Sequence, residues 1–565
     1  MRIPLRLNRW PKVGRPGSAY LIRRIPPYGV IVFALLLAYL PTFSGDFIFD
    51  DRALVRDNSY ITKLQSMSSY LSQEDGVVDP LDKGVYRTGY YRPLISFTFF
   101  VDYWLWGMKA SGFRTTNWLF HVLTCLLLYE LMLMMTQRGG WSLLGALFFA
   151  MHPVQTEAVS IIVARNNIFS TFFMLISLFA YIRWWERKSA LALVCSLTAF
   201  AGALFSKEFG LMTLPILLLY QRFLSRERET KREISSYVPY LVIMIIYLVL
   251  RGHVVTSSFT VSGDFFKRLY FAPYLVLYNL KLIFFPHGLH SFYVVYPQSM
   301  LDVMVLLSFL LLLLLFYAIY RYRKNGLLIF AASAFLLSLV PVLNLVRTSV
   351  VSLIAMRWLY MPLAFVALGV VWALGRVPRR RSLLVLLSCT LVLIYLGGYS
   401  FTLNKNLWHD ERTSVEREVL IFHNPLFFGD YAEKLFQEGN LDQAAQYFAL
   451  ALQARTAKVR DYIKYGALLF ETKRFGEAVQ TLEKARGLTM TRKERADWHN
   501  NMGVALTMAR DFERAHGHMR EALILDGNNP LLRRNMAALL LCRGRLPDAA
   551  AQLDAAARME LSHRR

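Results

Sequence analysis

The chain has 565 residues, 55% of them hydrophobic, and a formal charge of +25. A mean hydropathy of +0.35 excludes an ordinary soluble domain of this length. Residues 404–565 hold 25 of the 64 bases and 21 of the 39 acids, so the excess of base sits in the first 403 residues; in a membrane segment that marks loop topology rather than nucleic-acid binding.

Residues 1–28 form a basic arm, read as cytoplasmic, before the first apolar run from Gly29 to Phe43. No small-residue cleavage site follows that run, so it reads as an uncleaved span. Phe47-Ile48-Phe49-Asp50-Asp51 comes next. Two adjacent carboxylates at a membrane surface are functional candidates, because acids are costly there and one can serve as a general base. Further apolar segments fall at 118–136, 141–151, 168–185, 189–205, 209–222, 237–251, 300–320, 326–343, 357–374 and 382–403. The stretch 269–285 is ambiguous. Keeping it out of the count leaves Arg321–Lys324 and Arg376–Arg381 on the side of the arm, as the positive-inside rule asks, and gives about eleven spans with residues 404–565 outside.

The polar motifs then gather on the outer side. Loop 44–117 carries Asp50, Asp51, Tyr91 and Arg92; loop 152–167 carries His152, Glu157 and Arg165; Lys207 and Glu208 follow the next outward crossing. Arg165 is the natural phosphate partner, since guanidinium grips phosphate with two parallel bonds, and Lys207 adds a second cation. For each residue taken alone, a solvated loop or a structural ion pair is the bland alternative. Cys125, Cys195, Cys389 and Cys542 show neither a disulfide framework nor metal-ligand spacing.

The last 160 or so residues change character. Gly439, Ala444, Phe448 and Ala451 recur as Lys473, Ala478, Leu482 and Ala485, then as Arg510, Ala515, Met519 and Ala522, and again as Gly544, Ala549, Leu553 and Ala556. This period of about 34 residues, with small residues where helices cross, is the tetratricopeptide (TPR) signature. Four such units stack into a superhelix with a concave face for an extended peptide.

The ordered motifs resemble one family, the transmembrane-and-TPR protein O-mannosyltransferases of the GT-C glycosyltransferase class. They are Phe49-Asp50-Asp51 with Asp57-Asn58, Tyr91-Arg92-Pro93-Leu94, Asn117 to His121, His152-Pro153-Val154-Gln155-Thr156-Glu157-Ala158-Val159, Arg165, Lys207-Glu208 before Gly210, and Arg357-Trp358-Leu359-Tyr360-Met361-Pro362. Trp408, Asp410 and Glu411 resemble the junction into the repeats. One departure is Met356, where the family often has Glu before the arginine of this last element. The resemblance implies an all-α fold: a polytopic GT-C-like membrane domain over 29–403, a junction helix over 404–430 and a TPR domain over 431–565. It implies a polyprenyl- or dolichyl-phosphate-linked sugar donor and a Ser/Thr acceptor on a protein chosen by the concave TPR face. An aspartate of the Asp50-Asp51 pair is then the base, oriented by the other, and Glu157 supports either that acid or the acceptor. Arg92, Arg165, Lys207 and Arg357 face the lipid phosphate, with Tyr91, His152 and Glu208 beside them. No metal is required by that chemistry, although a divalent ion stays open.

Three other classes compete. An oligosaccharide-to-protein ligase needs a larger outer cavity and more often a metal. A non-catalytic TPR scaffold gives no reason for polar motifs to converge on one side. A transporter calls for midplane charges and repeated halves, which the chain lacks. With neither a retention signal nor an N-x-[ST] sequon in the sequence, a bacterial inner membrane with a periplasmic active face is favoured over the endoplasmic reticulum.

Overall fold

The computed structural model describes residues 25–563, apart from 65–66, 73–74, 79–84, 226–229, 256–264, 294–298, 300–301, 344–351 and 455–456. Most of the arm 1–28, and parts of the loops 222–233, 252–299 and 344–356, lie outside the described residues. Two compact units divide the chain, one of residues 1–77 and 87–411 and one of residues 78–86 and 412–565.

The first unit runs α1 (Ile25–Tyr39), α2 (Pro93–Trp106), α3 (Ala110–Thr136), α4 (Gly139–Met151), α5 (Arg165–Arg187), α6 (Ala190–Ser206), α7 (Thr213–Phe223), α8 (Thr230–Val254), α9 (Phe265–Phe284), α10 (Val303–Arg321), α11 (Gly326–Leu339), α12 (Tyr360–Leu374) and α13 (Ser382–Asn406). Two short strands, Asp75–Val78 and Val85–Tyr90, pair ahead of α2. Each of the eleven apolar segments falls mainly on a helix among the described residues. Among the described residues, seven helices are long and apolar enough to cross a membrane, and 139–151, 190–206 and 326–342 are shorter apolar helices. The segment 209–222 is divided between a 3-10 turn, Glu208–Met212, and α7. The ambiguous stretch 269–285 falls mainly in α9 and is not among the seven.

Burial sorts these helices into two sets. The apolar stretch of the span containing α5 is 72% buried, that containing α12 56% and α3 50%, against 17% for α8 and for the span containing α13, and 11% for α10. A helix that is apolar all round yet uncovered by protein faces lipid, so α8, α10 and α13 are the outer set and α3, α5 and α12 the inner one. Small residues set the closest approach between inner helices. A Cβ at Gly145 of α4 would fall 2.3 Å from Val371 Cγ2 of α12, so a side chain there would force the two helices apart.

In the second unit, α14 (Glu411–Leu420) leads into the repeats. These are four helix pairs: α15 (Phe428–Gln437) with α16 (Leu441–Gln453), α17 (Val459–Glu471) with α18 (Phe475–Lys484), α19 (Arg492–Met508) with α20 (Phe512–Leu525), and α21 (Pro530–Cys542) with α22 (Leu546–His563). Ala444, Ala478, Ala515 and Ala549 are all fully buried near the start of the second helix of each pair, where only a small side chain lets the partners meet. Local chemistry fixes the helix starts. Thr491 and Glu494 form a reciprocal capping box on α19, and Asn529 accepts the Leu531 N–H at 3.1 Å ahead of Pro530 on α21. The first helix of each pair packs on the first helix of the next, the arrangement in which first helices line the concave face of a superhelix.

Candidate active site

The chain leaves α1 through a 3-10 turn, Leu40–Ser44, and reaches the paired aspartates through Gly45. A Cβ at Gly45 would lie 1.6 Å from Arg114 Nη1 and 2.8 Å from the His409 carbonyl oxygen, so glycine alone passes here. Arg114 donates to the Thr42 carbonyl at 3.2 Å and to that of Asp46, and the Asp46 N–H donates to the His409 carbonyl at 2.8 Å. Phe49 then takes a left-handed φ of 48°, at a cost of about 1–3 kcal/mol for a residue with a Cβ. Asp50 is exposed; Asp51 is buried.

Asp51 has a structural task. Its Oδ2 accepts the Ile162 N–H at 3.1 Å and its Oδ1 the Val163 N–H at 2.9 Å, tying the segment after α1 to the loop that carries Glu157. Burial raises its pKa from 3.8 to about 6, against those two N–H bonds and the charge of Arg114, which pull the other way. A carboxyl whose pKa is higher folded than unfolded stabilises the fold most when protonated. Its contribution therefore falls as pH rises from about 4 to about 6 and is level above. Thermal unfolding of the Asp51→Asn variant across that range is expected to lack this segment of the wild-type pH profile. An unchanged profile would show that the carboxyl does not titrate there.

The loop after α4 is bound into the interior at each step. His152 donates from Nε2 to the Ile283 carbonyl at 2.8 Å and accepts the Val154 N–H at Nδ1, 3.3 Å away. Burial lowers its pKa to about 4, so the ring is neutral at neutral pH, with both nitrogens engaged. Glu157 is buried and receives two donors from one residue: the backbone N–H of Arg357 at 2.7 Å and its Nη1 at 2.7 Å. Burial raises the pKa of Glu157, while Arg357 opposes the rise.

Arg165 differs from its sequence reading as a phosphate ligand. Its side chain is fully buried and pairs with Asp102 at 2.5 Å. It also donates to Asn117 Oδ1 at 2.9 Å, to the Phe113 carbonyl at 2.9 Å and to Thr98 Oγ1 at 3.2 Å, while its guanidinium lies over the Phe99 ring. These bonds pin the start of α5 to α2 and α3. Tyr91 is likewise interior, its hydroxyl donating to the Leu71 carbonyl at 2.8 Å. The sequence reading missed Asp102. Its signal is a lone acid inside the apolar run Phe99-Phe100-Val101-Asp102-Tyr103-Trp104, which calls for a buried cation.

The remaining cations converge. Arg92 grips Glu208 with Nη2 at 2.9 and 3.1 Å and Nε at 3.3 Å, and its guanidinium lies 4.0 Å over the Tyr90 ring. Burial alone would raise the pKa of Glu208, but Arg92 and Lys207 bring it down to about 2. Lys207 is buried, donates to Asn167 Oδ1 at 2.6 Å and lies 3.8 Å over the Phe209 ring. Burial pushes its pKa well down, and the neighbouring guanidinium of Arg92 adds to that. Lys207 is within electrostatic reach of Arg92, Arg357, Glu157 and Glu208, and the Tyr90 phenol within reach of Arg92, Arg357, Glu208 and Asp50. The result is a cluster of three bases and two acids, with the exposed Asp50 carboxylate at its side. Among the described residues no group of three or more His, Cys, Asp or Glu side chains is placed to hold a metal ion.

No family model matches the chain. It is 24% identical over 274 residues to the Caenorhabditis elegans protein O-mannosyl-transferase F38B6.6, covering 46% of this chain and 38% of the relative. It is 23% identical over 589 residues to the Drosophila melanogaster protein O-mannosyl-transferase Tmtc3, covering 88% of this chain and 63% of that one. The chain thus spans less than two thirds of either relative. Both are animal proteins, so a bacterial source gains no support from them. Among solved structures, ArnT from Cupriavidus metallidurans bound to undecaprenyl phosphate is 13% identical, with a TM-score of 0.35, over 84% of this chain and 82% of that one.

Proposed function

We propose that this homologue of the transmembrane-and-TPR protein O-mannosyl-transferases is a membrane glycosyltransferase. It moves a mannose-like hexose from a polyprenyl- or dolichyl-phosphate carrier to Ser/Thr hydroxyls of a protein, on the periplasmic or lumenal face. The observation that carries this reading is the set of positioned cations, Arg92 on Glu208, Arg357 on Glu157 and Lys207 on Asn167, in the unit that also exposes the Asp50 carboxylate. The reaction is a single displacement. Asp50 takes the proton from the acceptor hydroxyl, the oxygen bonds to the anomeric carbon, and the bond from that carbon to the phosphate oxygen breaks. The lipid phosphate leaves as a stable anion, so it needs charge stabilisation more than protonation, and Arg92, Lys207 and Arg357 supply it without a metal. Before the donor arrives, Glu208 and Glu157 hold two of these cations in place. An incoming phosphate also favours the charged form of Lys207, which burial otherwise disfavours.

The TPR pairs choose the acceptor in this scheme, because every reactive side chain lies in the first unit and the helix pairs offer a peptide-binding face. The mass added to a co-expressed Ser/Thr-rich protein tests the reaction, with the full chain and with a chain ending after Glu411. That end keeps Trp408, whose indole donates to Thr156 Oγ1 at 2.9 Å. The full chain is expected to add hexose masses. The shortened chain is expected to bind donor and modify a short Ser/Thr peptide, with a raised KM for the protein acceptor. No added mass with the full chain rejects the reaction. Equal loss on peptide and protein rejects the division between the units.

A further inference from the structure

At the ends of the inner helices away from Arg357 and Asp50, four loops meet around one point. The helix α12 starts three residues after Arg357 and ends at Leu374; α3 ends at Thr136, two residues before Arg138. There Arg138 donates to the Gly375 carbonyl, Arg376 donates from Nη2 to Asn325 Oδ1 at 2.6 Å, and the Arg376 guanidinium lies 3.7 Å over the Trp372 ring. Tyr322 meets Trp372 edge-on at 6.3 Å. A Cβ at Gly326 would fall 2.2 Å from the Phe223 carbonyl oxygen, which brings the end of α7 to the same place. The segments 137–139, 222–224, 321–326 and 375–381 together carry nine bases and no acid.

Topology asks only that such loops be basic. It does not ask that guanidinium groups be held in position, nor that they stay without counterions. Arg92, Arg165 and Arg357 all have carboxylate partners. Among the described residues, Arg138, Arg376 and Arg379–Arg381 have none, yet a carbonyl, a carboxamide and an indole face order the first two. Held cations without acids favour an anion, and the ordering lowers the entropy cost of binding it. The neighbouring surface says where that anion comes from. Tyr317, Tyr320 and Tyr322 are exposed at this end of α10, as in an interfacial aromatic belt, and α10 itself is bare of protein cover along an apolar length.

We propose that this end of the bundle binds the headgroup of an anionic phospholipid of the surrounding leaflet. Arg138, Arg376 and Arg379–Arg381 hold its phosphate, and its acyl chains lie along the bare faces of α10 and α13. The inference is independent of the proposed transfer reaction, since it concerns the opposite helix ends and a lipid that carries no sugar. The test is native mass spectrometry of the detergent-purified full chain, titrated with phosphatidylglycerol and with phosphatidylcholine of the same acyl chains. Phosphatidylglycerol is expected to bind at least about tenfold tighter. The Arg138→Ala/Arg376→Ala variant is expected to lose about tenfold or more of that affinity and to leave phosphatidylcholine unchanged. Arg379→Ala/Arg380→Ala/Arg381→Ala serves as the second variant, because those side chains are exposed and the fold does not depend on them; it is expected to move in the same direction. Equal affinity for the two lipids, or an undiminished preference in both variants, overturns the proposal. So does displacement of the lipid by glycerol phosphate at matched concentration, which would mark a soluble-anion site.

Discussion

Asp50→Asn is expected to lower transfer by about 10²–10⁴-fold, the range for losing a general base, while leaving the fold intact. The amide keeps the shape of the side chain but cannot take the hydroxyl proton, and the exposed position means that no interior contact is lost with the charge. Asp51→Asn is expected to act differently. Its two oxygens each accept a backbone N–H, so an amide nitrogen must face one of those donors. The loss of a charge-assisted bond there is worth about 1.5–3 kcal/mol of stability. Turnover on a Ser/Thr peptide, measured beside the melting temperature of each variant, separates the two roles. Full turnover in Asp50→Asn would remove this residue from the chemistry. A melting temperature lowered equally in both variants would mean that Asp50 is a strut as well.

The motifs that point to this reaction are legible in the sequence because they are polar residues at the ends of apolar helices. The division of labour among them is not. Asp50 and Asp51 are adjacent in sequence, yet the first is exposed and the second buried, and nothing in Phe-Asp-Asp announces which is which. His152, Tyr91 and Arg165 read as one set with Arg92, Lys207 and Arg357, yet the first three bond inward to a carbonyl, a carbonyl and Asp102. Burial decides this, and burial depends on residues distant in the chain, such as Ile283 for His152 and Asp102 for Arg165. The helix count was open for a related reason. Apolar composition marks a helix as membrane-compatible, but 139–151 and 190–206 are short, and how the polar turns at His152 and Lys207 extend them is a tertiary property. The repeats were the most legible part, since each pair buries the same small residue at its crossing.

Arg165→Ala is expected to destabilise the membrane unit by about 3–5 kcal/mol, because it leaves Asp102 as an uncompensated charge with a side chain that is 2% exposed. The same substitution also strips a donor from Asn117, from the Phe113 carbonyl and from Thr98, so α2, α3 and the start of α5 lose their common anchor. Removing both charges relieves the first of these costs. Arg165→Met/Asp102→Leu is therefore expected to regain much of the loss, since a buried pair replaced by apolar side chains of similar volume is often neutral or better. Chemical denaturation of the three proteins in one detergent, beside their affinity for a polyprenyl phosphate, decides between two roles. A structural strut predicts a large stability loss in the single variant, recovery in the double one, and donor affinity that follows the folded fraction. The role of phosphate ligand that the sequence alone suggested predicts the reverse: stability nearly unchanged, and donor affinity lost in both variants with no recovery.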